Sequence, residues 1–253
     1  MLGTTSRRLV RKKHHPRSHS VQRVDACTNT VQKLLLLVDS RENTESKHSR
    51  RVAQYALIGA TQLNLSEGEQ KTIKFGAILH DIGLLSVPVY ILKKPEALTK
   101  EEWSIIRKHP VTGYNLLREI PSLDRVSSLI LYHHERFDGT GYPHGIKGKL
   151  IPIGARLIAV AEAFDSMTVD HPYRAASSAK DALRELTRCS GTQFCPVAVK
   201  AFCLGYLKSH SSELIIVKKE VTVSNEQLRS KPGDAAWPIS FGQSSHLGKD
   251  SQQ

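Results

Sequence analysis

Through the middle of the chain, apolar side chains return every three or four positions, the period that gathers them on one face of an α-helix. Val52, Tyr55 and Leu63 follow His48 in this way, and Ile73, Ala77 and Ile78 lead into His80. Two segments read as helix starts, Ser66-Glu67-Gly68-Glu69 and Thr99-Lys100-Glu101-Glu102. Each pairs a hydroxyl with a carboxylate three residues on, so that free amides of the first turn are satisfied. The second box launches Trp103, Ile106 and His109. Further helices are predicted over Leu123 to His133, Pro152 to Asp165, Ser178 to Leu186 and Pro196 to Leu207. The fold class is therefore all-α, a helical bundle interrupted by one long break from Glu135 to Leu150. Gly139, Gly141, Pro143, Gly145 and Gly148 gather in that break. A glycine-rich insertion of this length within a bundle is commonly functional, the alternative being a passive surface turn.

Composition bounds the rest. A chain of 253 residues can bury one substantial core. The expected division is a basic, partly flexible segment over 1–40, one domain over 41–208, and a partly disordered extension over 209–253. The longest uninterrupted apolar run, Leu34 to Val38, is far short of the roughly 20 residues needed to span a bilayer. With no secretory pattern either, the chain reads as cytoplasmic. Its four cysteines, Cys27, Cys189, Cys195 and Cys203, lack the paired spacing of a zinc knuckle and read as reduced bystanders. A formal charge of +12 and a pI near 9.6 favour an anionic partner without choosing among nucleotide, nucleic acid and acidic protein. The run Arg7 to His15 carries much of that charge. Without interleaved aromatics for base stacking, it reads as a solvated tail rather than a nucleic-acid arm.

The candidate chemistry lies in the histidines. His48 shares a face with Val52 and Tyr55, His80-Asp81 ends an apolar helix, His109 follows Ile105-Ile106, and His133-His134 close another apolar helix and run into the glycine-rich break. One such histidine is ordinary, but here the residue recurs where an apolar face ends. Imidazole nitrogen together with a carboxylate able to bridge two cations suits iron, manganese or zinc better than a sulfur-preferring ion. Two ions about 3.5–4 Å apart can activate a bridging hydroxide for attack on phosphorus and stabilise the departing oxygen.

These residues resemble the HD-GYP branch of the HD superfamily, metal-dependent hydrolases of cyclic dinucleotides, chiefly cyclic di-GMP. The resemblance covers about Arg41 to Leu207. It rests on His48-Ser49-Arg50-Arg51-Val52, Leu79-His80-Asp81-Ile82-Gly83, Val87 to Pro95, His109-Pro110-Val111-Thr112-Gly113, the segment His133 to Pro143, and Asp165 followed by Pro172-Tyr173-Arg174. It implies an HD-type bundle with the GYP loop between helices. It implies two divalent ions, iron or manganese, on His48, His80, Asp81, His109, His133, His134 and Glu162, with Asp81 as the bridge and His80-Asp81 as the catalytic pair. Lys94, Gly141, Tyr142, Pro143 and Arg174 are the implied substrate contacts, Tyr142 through its hydroxyl or, in the plainer reading, only by packing its ring. The implied reaction opens cyclic di-GMP to the linear dinucleotide pGpG, and onward to GMP, through a metal-bridging hydroxide.

Several positions depart from the family pattern. Leu84 stands where the family has a lysine facing the scissile phosphate, a cation that leucine cannot replace. Glu162 stands where aspartate is usual, with Asp165 three residues later on nearly the same helical face. His171 replaces an arginine before Pro-Tyr and offers fewer donors. Thr44 occupies the position of a third-metal glutamate, and Glu45 would project about 100° away on a helix, so two metals are expected. Together the departures keep a second hypothesis open, a catalytically weakened module that binds cyclic dinucleotide or a partner protein without efficient turnover. A third, hydrolysis of another nucleotide as elsewhere in the superfamily, fits less well with the intact Tyr142 loop. The family also implies contact with a diguanylate cyclase domain. The stretch before Arg41 is too short for a sensor domain, so regulation is expected from a separate sensor protein or a homodimer interface.

Overall fold

Both capping boxes close. Ser66 Oγ accepts from the Glu69 amide while Glu69 Oε2 accepts from the Ser66 amide at 2.9 Å, and Thr99 and Glu102 repeat the exchange. The helices they start belong to a bundle seen in a computed structural model that describes residues 27–37, 48–170 and 175–210. In chain order these are α1 (27–37), α2 (His48–Gln62), α3 (Glu67–Leu79), α4 (Val89–Leu92), α5 (Lys100–Ile106), α6 (His109–Arg118), α7 (Asp124–Tyr132), α8 (Ile153–Thr168), α9 (Ala179–Arg188) and α10 (Pro196–Ser209). Among the described residues there is no strand, only an isolated bridge between Ser190 and Phe194, and no helix long and apolar enough to cross a membrane. The all-α expectation holds, and each predicted helix is present with its ends moved by a few residues, except that the one launched at Thr99 stops at Ile106 and His109 begins a new helix, α6.

The main core lies where α2, α8 and α10 meet. Small residues on α2, Ala53, Ala56 and Ala60, let it approach Leu157, Ala161 and Phe164 of α8 and Phe202 of α10. Tyr55, Phe164 and Phe202 then fill the junction in edge-to-face contacts, with ring centroids about 5 Å apart for Tyr55–Phe164 and Phe164–Phe202, a geometry that adds to area burial. A second cluster joins Phe75 and Leu79 of α3 to Leu117 of α6 and to Val126 and Ile130 of α7. A third, smaller one gathers Leu84, Val87, Ile91 and Ile106 beneath α4 and α5.

One feature was not expected from the chain's patterning. Within the stretch read as a basic, partly flexible segment, residues 27–37 form α1, and Val31 joins the second cluster while Leu35 is also buried. The physical reason is the i, i+4 spacing of these two residues, which gives even a short helix an apolar edge. The run Arg7 to His15, Thr44, Glu45, His171, Arg174 and the extension from 211 lie outside the described residues.

Between α3 and α4 the chain turns through a 3₁₀ segment, Ile82–Ser86, pressed against the start of α6. A Cβ on Gly83 would lie 1.9 Å from the His109 carbonyl oxygen and 2.8 Å from the Gly113 amide nitrogen, so only glycine lets the two segments meet. That contact brings the end of α3 to the start of α6.

Removing the Ser66 hydroxyl by Ser66→Ala is expected to cost about 1 kcal/mol of stability, read as a lowered urea midpoint with an unchanged slope. An unaltered midpoint would mean that the capping box contributes nothing to α3.

Candidate metal centre

Five histidines and one aspartate converge from helix ends. His48 begins α2, His80 and Asp81 follow α3, His109 begins α6, and His133 and His134 follow α7. His80, His109 and His133 are each 1% exposed or less. Each of these three places its Nδ1 within hydrogen-bond distance of a carbonyl three residues earlier: His80 on Ala77 at 2.8 Å, His109 on Ile106 at 2.9 Å and His133 on Ile130 at 2.6 Å. A carbonyl can only accept, so Nδ1 must be the protonated nitrogen and donate, and Nε2 is left facing inward. His48 follows the same rule with a side-chain partner, donating from Nδ1 to Asp165 Oδ2 at 2.7 Å.

The inward-facing atoms form two groups that share Asp81. Donor atoms of Asp81, His109, His133 and His134 lie within 4.8 Å of one another, and so do those of His48, His80 and Asp81. Asp81 divides its carboxylate between them, with Oδ1 3.4 Å from His109 Nε2 and Oδ2 3.2 Å from His80 Nε2. The second contact is an ion-pair distance whose direction is wrong for a hydrogen bond. His80 Nε2, Asp81 Oδ1 and His134 Nε2 are accordingly buried without a hydrogen-bond partner. His109 Nε2 and His133 Nε2 face one another at 3.3 Å, and two neutral imidazoles with Nδ1 protonated turn lone pairs toward each other there. Orphaned donors of this kind, nitrogen and carboxylate mixed, fit divalent cations.

Electrostatics point the same way. Burial is the largest influence on His133 and His134 and, with the neighbouring imidazoles, holds both well below the ordinary histidine range. His109 is lowered for the same first reason. These rings are therefore neutral, the form that ligates. Burial alone would lower His80 as well, but the Asp81 carboxylate overrides it and lifts the group to about 10. Burial would raise Asp81, yet His80 and the other facing imidazoles hold it well below the carboxylate range. A divalent cation against Asp81 would provide the compensation that a protonated His80 otherwise gives, with the imidazole neutral. Glu162, on α8, is pushed up to about 7, by burial first, and its charge is felt by His80 and by Tyr142. It belongs to neither 4.8 Å group.

Asp165, one turn beyond Glu162, is 1% exposed and does not face the centre. It takes two hydrogen bonds from Arg51, at 2.6 and 3.0 Å, besides the one from His48. Its function is to hold the His48 ring, with α2 anchored to α8 in the same contact. Arg51 carries no sequence signal of its own beyond its place near His48.

The glycine-rich segment folds against the histidines. The Tyr142 amide donates to the His134 carbonyl at 3.2 Å, and the Tyr142 ring packs 4.9 Å from that of His134. A Cβ on Gly141 would meet the Arg136 amide nitrogen at 2.2 Å and the Glu135 Cα at 2.6 Å, so the chain can double back only at glycine. Pro143 follows Tyr142 through a cis peptide bond. Glu135, buried, accepts from the amides of His144 and Gly145 at 2.7 and 3.1 Å, a clamp that patterning does not reveal. The Tyr142 hydroxyl is buried without a partner. Burial first, then Glu162 and Asp81, raise its pKa, so it stays a protonated donor. The Lys94 ammonium is held by both oxygens of Glu102 at 2.8 and 2.7 Å. Leu84 is 5% exposed and belongs to the apolar cluster with Ile106. Among the expected substrate contacts, only Arg174 lies outside the described residues.

Comparison with known proteins gives these residues a context. A family model described as an HD domain matches residues 33–196. The chain is 37% identical over 171 residues to a cyclic di-GMP phosphodiesterase of Thermotoga maritima, covering 67% of this chain and 46% of that protein. It is 38% identical over 178 residues to the cyclic di-GMP phosphodiesterase response regulator RpfG of Xanthomonas campestris pv. campestris, covering 70% and 47%. The chain thus spans about half the length of the curated relatives it matches. Its fold is similar to that of a cyclic GMP-AMP specific phosphodiesterase from Vibrio cholerae, with a TM-score of 0.55 at 23% identity, covering 76% of this chain and 53% of that one.

Asp165→Asn is expected to weaken divalent-metal binding about 10- to 100-fold, because the amide nitrogen accepts no hydrogen bond and the one oxygen left cannot serve both His48 and Arg51. Manganese titration by calorimetry checks this, and an unchanged affinity would separate Asp165 from the centre.

Proposed function

The chain belongs to the HD domain family, and on that premise we propose that it hydrolyses a phosphodiester bond of a cyclic dinucleotide, cyclic di-GMP foremost, with two divalent ions. The observation that carries this reading is the divided carboxylate of Asp81, one oxygen toward each group of imidazoles. One ion would be held by His48, His80, Asp81 and, through a turned side chain, Glu162. The other would be held by Asp81, His109, His133 and His134. Nitrogen and carboxylate donors without thiolate suit iron, manganese or zinc, and the family resemblance favours iron or manganese among them. Such a pair, when bound, supplies Lewis acidity at the phosphoryl oxygens and an activated water.

The chain's own residues perform the remaining tasks. The carbonyl-anchored histidines hold the donor set rigid, so that no reorganisation is needed as charge develops on phosphorus. The Tyr142 hydroxyl, protonated and unpartnered, can donate to a phosphate oxygen. Gly141 and Pro143 shape the wall on which Tyr142 sits, and Arg174 is the basic residue expected at the other side of the groove. Attack by water breaks one phosphorus–oxygen bond to the ribose, the leaving oxygen takes a proton, and the ring opens to the linear dinucleotide. Further cleavage yields GMP. The reaction is placed in the cytoplasm, and a diguanylate cyclase domain, a separate sensor protein or a second copy of the chain is the proposed regulator.

A second reading, binding with little turnover, draws support from Leu84 and Lys94. Leu84 is committed to the apolar cluster and Lys94 to Glu102, so neither supplies a free cation to the scissile phosphate. The protein loaded with manganese or iron under reducing conditions is expected to open cyclic di-GMP, to lose activity on chelation, and to lose about 10³-fold or more in kcat on Asp81→Asn. Verified metal content with no hydrolysis of cyclic di-GMP, cyclic di-AMP or 3′3′-cyclic GMP-AMP would sink the hydrolase reading, and nucleotide binding in that same sample would support the second.

A further inference from the structure

A cyclic dinucleotide carries two phosphodiester anions, and the metal donors can serve only the one that is cut. The other needs a cation of its own, or it enters the groove unpaired. Of the cations that the family resemblance or the site geometry brings forward, Arg51 is engaged with Asp165, Lys94 with Glu102 and Arg136 with Asp138, and Arg174 lies outside the described residues. Arg107 differs from them. It caps the carboxyl end of α5, two residues before His109, and is exposed. Among the described residues it has no carboxylate partner. Its guanidinium lies over the Tyr142 ring, with Cζ 5.3 Å from the ring centroid.

The backbone that carries it is well fixed. Ile106, immediately before it, is fully buried beside Leu84, and the Arg107 amide is held by the Trp103 carbonyl at 2.9 Å. The ring beneath the guanidinium packs in turn on His134. Arg107 is therefore joined to the donor cluster through the Tyr142 ring, which contacts both its guanidinium and the His134 ring. A guanidinium supported on an aromatic face keeps its edge donors free, and that edge matches a phosphate oxygen pair.

We propose that Arg107 binds the second, uncut phosphodiester of a cyclic dinucleotide while the metal centre engages the first. The inference rests on the cyclic-dinucleotide reading above. It makes Arg107 the residue that distinguishes a substrate with two phosphodiesters from one with a single phosphodiester.

The test uses the full chain loaded with manganese and calorimetric titration of two probes, cyclic di-GMP and 3′,5′-cyclic GMP, which has one phosphodiester. Arg107→Ala is expected to weaken cyclic di-GMP about 10- to 100-fold and to leave cyclic GMP and manganese affinities within about twofold. Arg107→Lys, which keeps the charge but not the planar fork, should fall between. An Arg107→Ala protein that binds cyclic di-GMP as wild type does would overturn the proposal. So would an equal loss for both probes or for manganese, since that would make Arg107 a prop for Tyr142 and not a phosphate ligand. Wild-type protein that binds manganese but no cyclic di-GMP would remove the function reading itself, and this inference with it.

Discussion

An imidazole offers a lone pair only from the nitrogen that does not carry its proton, and in this protein backbone carbonyls decide which nitrogen that is. The carbonyls of Ala77, Ile106 and Ile130 each accept a hydrogen bond from Nδ1 of the histidine three residues on. These carbonyls belong to the last turns of α3, α5 and α7, where the helix has no amide left to offer them. One bond thus satisfies a helix end and fixes a ligand. Much else at the centre follows from it: the neutral rings of His109, His133 and His134, the facing nitrogens, and Asp81 as the buried carboxylate among them.

The surrounding structure serves that arrangement at two ranges. At short range the glycine-rich segment is sewn onto its own beginning, by Glu135 at the His144 and Gly145 amides and by the Tyr142 amide on His134. At longer range it leans on the turn before α10, where the amides of Phe137 and Asp138 donate to Gln193 and Thr192 at 3.1 and 2.8 Å. Loops so pinned behave as parts of the scaffold rather than as mobile covers. The aromatic ring of Tyr142 is consequently held where it touches both His134 of the donor cluster and Arg107.

Much of this was legible in the chain. Helical periodicity and the capping boxes are local signals, and local hydrogen bonds decide them. The histidines were legible because each closes or opens an apolar face, a combination of residue type and position that solvent-exposed histidines do not share. What periodicity cannot carry is the pairing of side chains across elements. Asp165 is visible as a second carboxylate near Glu162, but its engagement with Arg51 and His48 depends on α2 lying against α8. Lys94 sits in a matching segment, yet its partner Glu102 is reached only because the chain reverses between α4 and α5. Arg107 is one base among 36 lysines and arginines, and nothing in its neighbours marks it. The burial of α1 had the same limit, since the surfaces that cover Val31 come from α3, α6 and α7.

The carbonyl anchors also constrain how chains of this kind can change length. One residue inserted within α3 or α7 would rotate everything beyond it by about 100°, carrying His80 or His133 off the centre while leaving the helix itself intact. One residue inserted in the 119–123 connection, between α6 and α7, would leave every histidine with its own carbonyl. Related sequences should therefore vary in length between the helices and keep strict phase within them, which makes the spacing from each apolar face to its histidine a better guide to alignment than overall identity.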